Sequence, residues 1–192
     1  GVVADTHVGD ILPALPPGVI PALGDVDLIL HAGDVCAPWV LDELRRVAPV
    51  VAVQGNHDED LGYDLPKAMR VRVGGLTIGL THGIREFPLE AGSALLTMVS
   101  GRAVTLGLAR TMARRFPAAD CVVFGHWHMP VHTWIGSTLA FSPGAVFTAE
   151  RDGLERMSAR RARLYRRFRA ALPPEAAEPA VGILEISGGR LT

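Results

Sequence analysis

Val26-Asp27-Leu28-Ile29-Leu30-His31-Ala32-Gly33-Asp34 and Val50-Val51-Ala52-Val53-Gln54-Gly55-Asn56-His57-Asp58 share one pattern: a short apolar run, a glycine, then residues that can act on a ligand. Runs of this length, bounded by glycine and polar residues, fit strands covered on both faces. Gly1-Val2-Val3-Ala4, ending at Asp5, is a third such run; it opens without Met, and a preceding piece is expected to lengthen it. Between the Val26 and Val50 runs, Trp39 to Val47 has helical spacing (Trp39, Val40, Leu44, Val47) with charges on the other face. Strand, helix, strand in alternation is the signature of an α/β layer.

The remaining chain extends the pattern. Met69–Val73 and Leu76–Thr81 flank Gly74-Gly75, a two-residue hairpin turn. Cys121–Phe124, Val131–Ile135, Thr138–Ser142 and Val181–Ser187 read as further strands, with Gly136-Ser137 as a second hairpin turn. Glu90 to Phe116 reads as helix with one or two glycine breaks. Leu154 to Leu172 reads as a long helix with an apolar stripe of Leu154, Met157, Leu164, Phe168 and Leu172, followed by a Pro/Ala/Glu linker over 173–179.

Composition narrows the function classes. With 192 residues, 48% apolar and 20% charged, the chain is one domain of ordinary size, long enough to bury roughly 70% of its unfolded surface. It is neither disordered nor of low complexity. No apolar run approaches the roughly 18 residues of a membrane helix, and no signal peptide is visible. Cys36 and Cys121 are too few for a disulfide scaffold and fit a reducing, cytoplasmic setting. The net charge of −1 argues against the chain as a whole binding nucleic acid by electrostatics, but it conceals an asymmetry: Arg156 to Arg169 carries seven arginines and no acid, and the remainder carries −8.

The chemistry-bearing residues fall in five groups, each just past an apolar run: Asp5-Thr6-His7, Gly33-Asp34, Gly55-Asn56-His57-Asp58, His82-Gly83 and Gly125-His126-Trp127-His128. In α/β sheets the loops at that edge converge on one crevice. Carboxylate, imidazole and amide oxygen together suit divalent transition ions. Seven donors (Asp5, His7, Asp34, Asn56, His82, His126 and His128) are too many for one ion that must leave room for water, and suit two ions sharing a bridging carboxylate.

The order D-x-H, GD, GNHD, HG, GHxH resembles the calcineurin-like metallophosphoesterase superfamily. HAGD, GNHD, THG and GHWH are most similar to its small bacterial and archaeal phosphodiesterase branch, which also contains the retromer subunit Vps29. The resemblance covers residues 1–147 and returns at 181–187. It implies an α/β four-layer αββα sandwich of two mixed sheets with helices outside, and one metallophosphoesterase domain over 1–192 with an Arg-rich helical insertion at 150–178. It implies a first ion on Asp5, His7, Asp34 and His128, and a second on Asn56, His82, His126 and the bridging Asp34. Mn²⁺ is the first choice of ion, with Fe, Zn, Ni or Mg as substitutes. The implied reaction is hydrolysis of a phosphodiester, with a phosphomonoester next, through hydroxide held between the ions. His57 would serve the phosphoryl or leaving oxygen, and Asp58 would fix the His57 tautomer. The substrate is a phosphate ester. Two rival readings are a Vps29-like protein-binding scaffold and a nuclease that holds nucleic acid on the Arg-rich helix.

Three positions depart from the family pattern: Trp127 where Thr is usual, Ala4 where Ser is common, and Ser142-Pro143-Gly144-Ala145 in place of N-P-G-S. None removes a ligand; they bear on substrate preference and rate. Outside the motifs the plain readings are preferred. His31 and His132 are structural, Cys36 is a packed thiol near the site, Cys121 is core, and Trp39 and Trp134 pack. Trp127 is either core or a wall of the substrate mouth. The Arg-rich helix packs through Leu164, Phe168 and Leu172 with its arginines in water, or uses them on phosphates, nucleic acid, an acidic partner or a membrane surface.

Overall fold

Residues alternate between two apolar environments along each central strand, and that alternation builds the layers. A computed structural model describes residues 1–59, 64–148 and 158–191. Strands β1 (Val2–Val3), β2 (Ile29–His31) and β3 (Val50–Ala52) form a parallel sheet in the order β1-β2-β3, with Val2 opposite Leu30 and Ile29 opposite Val50. Strands β4 (Ala68–Val73), β5 (Leu76–Thr81), β6 (Cys121–Val123), β7 (Pro130–Ile135) and β8 (Thr138–Pro143) form a mixed sheet ordered β4-β5-β6-β8-β7. Val2, Ala4, Leu30 and Ala32 of the first sheet meet Ile78, Leu80, Cys121 and Val123 of the second in one apolar layer.

The opposite faces carry the helices. Val3 and Ile29 pack under α1 (Val19–Leu23) and α2 (Pro38–Leu44) through Val19, Leu23, Val40, Leu41 and Leu44. Val122, Phe124 and Ala140 pack under α4 (Leu108–Arg115) through Leu108, Met112 and Phe116. The result is helix, sheet, sheet, helix, the expected αββα arrangement. Among the described residues, no helix is long and apolar enough to cross a membrane.

Local chemistry sets the element ends. Gly74 and Gly75 both have positive φ (57° and 81°), which turns β4 into β5 in the geometry a tight hairpin needs. The predicted Glu90–Phe116 helix is two helices, α3 (Phe87–Ser100) and α4. Gly101 closes the first in the left-handed region and Gly107 opens the second. α3 is inverted: Ser93 and Thr97 are buried, whereas Phe87, Leu95 and Val99 are exposed. Its polar inner face serves Arg85, a buried guanidinium that donates to Ser93 Oγ at 2.9 Å and to the Thr105 carbonyl at 2.6 Å.

Several expectations are corrected. Trp39 and Trp134 are 46% and 54% exposed rather than packed, and in α2 Leu41 takes the inward place. β3 is only half-buried because it is the edge of its sheet. Helix α1 has no counterpart in the sequence reading: it spans five residues with a proline inside, too short for a period. The run Val181–Ser187 is not one strand. Gly182 makes an isolated antiparallel bridge to Val2, and only Ile186–Ser187 is a strand (β9), which turns at Gly188-Gly189 to pair with β10 (Arg190–Leu191). The Pro173–Pro179 linker contains a 3₁₀ turn over Pro174–Ala177.

The predicted Arg-rich helix is α5 (Ala159–Ala170); Leu154, Arg156 and Met157 lie outside the described residues. Its face is rotated from the expected stripe, with Leu164 46% exposed and Ala162, Tyr165 and Phe168 turned inward.

The second sheet meets the end of α4 closely at Gly79, where a side-chain carbon would overlap the Phe116 ring. Gly79→Ala is expected to lower stability by about 1–3 kcal/mol, the usual cost of overpacking. Urea unfolding reads the loss, and adding Phe116→Leu is expected to recover part of it.

Candidate metal centre

Every motif begins where a strand ends, and backbone hydrogen bonds tie the loops together. The Asp5 N–H donates to the Gly33 carbonyl, the His7 N–H to the Asp34 carbonyl (both 3.0 Å), and the Gly125 N–H to the His82 carbonyl (2.9 Å). To turn their side chains into one space, Asp5, His7, Asp34, Cys36, His126 and His128 all adopt left-handed φ, between 48° and 75°. Such backbone is uncommon outside glycine and clusters at functional sites. Gly55 allows Asp34 to come close, since a side-chain carbon there would overlap its carboxylate.

Among the described residues four triads of donors result, each with one ligand atom per residue and all within 4.8 Å of one another: Asp5, His7 and His128; His7, Asp34 and His57; Asp5, Asp34 and His82; and His7, Asp10 and Cys36. Asp34 joins the second to the third. Its Oδ2 lies 3.3 Å from His7 Nε2 and 3.2 Å from His82 Nε2, and its Oδ1 accepts the His57 N–H at 2.9 Å. Asn56 Oδ1 lies 3.1 Å from His82 Nε2, and His128 Nε2 lies 3.5 Å from Asp5 Oδ1 and 3.2 Å from His7 Nε2.

The outer nitrogens have partners of their own. His82 Nδ1 donates to the Ala32 carbonyl at 2.7 Å, and His7 Nδ1 faces Asp10 Oδ2 at 3.5 Å. Both arrangements turn Nε2 toward the cluster, as in metal sites whose imidazoles are oriented by a second partner. Buried carboxylates, inward-turned imidazole nitrogens and an amide oxygen fit a divalent transition ion.

Charge is balanced inside the cluster. Burial pushes Asp5 up to about 8. Burial also pushes the Asp34 carboxyl upward, but His82, by charge and hydrogen bond, and His7 outweigh it and hold Asp34 well below the usual range. Burial opposes protonation of His82, yet Asp34 raises it to about 9. Burial holds His126 down at about 4 and His128 well below an ordinary histidine.

Residues 1–160 match the calcineurin-like phosphoesterase superfamily domain. The chain is 34% identical over 145 residues to a probable metallophosphoesterase of Methanothermobacter thermautotrophicus, covering 76% of this chain and 75% of the relative. The chain belongs to the calcineurin-like phosphoesterase superfamily. It is also 24% identical over 158 residues to a phosphodiesterase of Methanocaldococcus jannaschii, covering 75% of this chain and 81% of that protein. Among solved structures it is similar to Vps29 of Entamoeba histolytica complexed with zinc, at 25% identity and a TM-score of 0.52 over 76% of this chain and 73% of that one.

Against this family frame, the structure brings together Asp5, His7, Asp34, Asn56, His57, His82 and His128. His126 stands beside them, its ring edge-on to His82 with centroids 5.1 Å apart and its Nε2 3.7 Å from Glu90 Oε2. Asp58 is buried and accepts the N–H groups of Val35, Cys36 and Gly55, so it pins the Asp34 loop to the Asn56 loop. The carboxylate at His57 Nδ1, expected to be Asp58, is Asp10, at 2.7 Å. Trp127 is core: it is buried and donates to Glu90 Oε2 at 2.9 Å. Cys36 is the packed thiol expected near the site, 3.8 Å from His7 Nδ1, and burial pushes its pKa up. His31 is buried behind Asp34 against Thr6 Oγ1, and His132 lies on exposed β7 edge-on to Phe141.

The sequence reading missed Asp10, Glu90, Tyr165 and Arg169. Asp10 lies three residues past His7, one helical turn on, and its spacing was the one available signal. A cavity of about 240 Å³ beside His82, lined also by Lys67 and Arg115, adjoins the cluster.

Two pH effects follow. At pH 7 both Asp5 and His82 hold a proton in the ion-free cluster, so a divalent ion must displace about two protons per chain, and its affinity rises with pH toward 9. Calorimetric titration of Mn²⁺ in buffers of different ionisation enthalpy measures that release. Burial lowers His31 from 6.5 to about 4, so the contribution of its neutral ring is complete above pH 6.5 and is lost as pH falls through 4. Wild type is therefore expected to lose roughly 3 kcal/mol relative to His31→Gln across that window, read by denaturant unfolding at stepped pH.

Proposed function

We propose that the chain is a phosphodiesterase working with two divalent ions, Mn²⁺ first. Asp5, His7, Asp34 and His128 hold one ion; Asn56, His82, His126 and the shared Asp34 hold the other. The observation that carries this reading is the Asp34 carboxylate, with one oxygen 3.2–3.3 Å from the imidazoles of both His7 and His82. A paired ion site lowers the pKa of water and neutralises charge on a phosphoryl group in line for displacement.

The chain's own residues do the rest. Asp58, through three backbone N–H bonds, fixes the spacing between the Asp34 and Asn56 loops. Asp10 receives His57 Nδ1–H, so that when the ring carries its second proton Nε2–H can donate to a phosphoryl oxygen or pass that proton to the leaving oxygen. The His57 side chain is 24% exposed, at the open side of the cluster where a substrate arrives. The name of the M. jannaschii relative supports a diester over a monoester. The zinc complex of the Vps29 neighbour supports metal binding on this fold, while Vps29 itself motivates the scaffold alternative.

The test is hydrolysis of bis(p-nitrophenyl) phosphate beside p-nitrophenyl phosphate by stripped protein with Mn²⁺ restored. The diester is expected to turn over faster. Asp34→Asn is expected to lose more than about a hundredfold in turnover together with bound metal, beyond what loss of an outer partner costs. His57→Ala is expected to lose about 10²–10⁴-fold in kcat with metal retained. Absence of turnover with every divalent ion tried would favour the scaffold reading.

A further inference from the structure

Helix α5 carries none of the five motifs, and the family match ends at residue 160, two residues into it. Yet α5 is docked on the last ligand loop. Tyr165 Oη lies 2.6 Å from His128 Nδ1. One turn on, Arg169 Nη1 donates to the His128 carbonyl at 3.1 Å. Between them, Phe168 packs edge-on against Trp127, with ring centroids 5.2 Å apart. Positions 165, 168 and 169 share one helical face, so a single docking event delivers all three contacts.

The His128 ring has two nitrogens and, when neutral, one proton. Nε2 points to Asp5 Oδ1 and His7 Nε2. With an ion on Nε2 the proton must sit on Nδ1, and the Tyr165 oxygen accepts it. Without an ion, Nε2–H can donate to Asp5 or His7, and the Tyr165 O–H can donate to Nδ1 instead. A hydroxyl serves both states, where a carboxylate could only accept. Among the described residues, His128 Nδ1 is the one hydrogen-bond partner of that hydroxyl. Arg169, by holding the carbonyl, fixes the backbone of a residue at φ 51°.

We propose that Tyr165 is a positioning residue of the metal centre: it keeps the His128 ring turned so that Nε2 faces Asp5 and His7, and it accepts Nδ1–H when an ion binds. This rests on the two-ion reading above. It makes the Arg-rich helix a supporting wall of the centre, with Tyr165, Phe168 and Arg169 spent on docking.

Tyr165→Phe tests the role, because the ring that packs edge-on to His128 (centroids 5.9 Å) remains and only the hydroxyl goes. Calorimetry with Mn²⁺ is expected to show affinity lower by about 10–100-fold at one of the two sites, with the other unchanged. In stripped protein, long-range proton–nitrogen NMR is expected to report one His128 tautomer for wild type and a mixture for the variant. Arg166→Ala, on the exposed face of α5, is expected to change neither readout. Phe168→Ala is expected to lower the melting temperature with a smaller loss of affinity than Tyr165→Phe. Unaltered affinity and an unaltered tautomer in Tyr165→Phe overturn the proposal, as does an equal loss in Phe168→Ala. If wild type itself binds no divalent ion, the two-ion reading fails and takes this role with it. That outcome is distinct from a failure confined to Tyr165, in which wild type and variant bind alike.

Discussion

The constraint on which the rest depends is the left-handed backbone at six non-glycine residues around one cluster. Each such residue costs about 1–3 kcal/mol and persists only where its surroundings over-determine it. Those surroundings are the loop-to-loop hydrogen bonds and three buried carboxylates that accept backbone N–H groups: Asp5 from His126, Asp34 from His57, and Asp58 from Val35, Cys36 and Gly55. Both sheets end at the same edge, so each turn aims its side chain at the same space. The αββα layers are what hold the strand ends still enough for that strain to last.

Electrostatics gives the strain a purpose. Asp5 and Asp34 are both almost fully buried, and two carboxylates in a dry interior cannot both stay ionised without compensation. Here a proton on Asp5 and the charge on His82 supply it, at the expense of occupying the donors that a cation would use. A divalent ion at the proposed site would take the place of those protons on the same buried groups. An apolar replacement of similar volume would pack with less strain, which is why the arrangement reads as a site and not as core.

Much of this was legible from residue types and their order. The five motifs announce themselves because each is a short polar word after an apolar run, and glycine marks where the chain turns. The β4–β5 hairpin was readable from Gly74-Gly75, and the α3–α4 break from the glycines between Glu90 and Phe116. Asp10, Glu90, Tyr165 and Arg169 were not readable, because their roles are created by tertiary placement. Tyr165 faces inward for its hydroxyl, so a search for an apolar stripe chose Leu164 instead and missed the face by about one residue's rotation. Helix α1 was hidden because Val19 and Leu23 are helical through burial against the first sheet, with no period to display. The run at 181–187 looked like one strand because alternation continues through it, while its pairing partner changes from Val2 to the β10 segment beyond Gly188-Gly189.

The donors of the cluster come from five loops scattered between residues 5 and 128. His7, Asp34 and His57 follow strands of the first sheet, and His82 and His128 join them only once the second sheet is in place. The complete pocket is therefore built from contacts of long sequence separation, the kind that slow folding. A ligand that needs donors from both sheets binds the native state alone and stabilises it by mass action, the more so the further its concentration exceeds its dissociation constant.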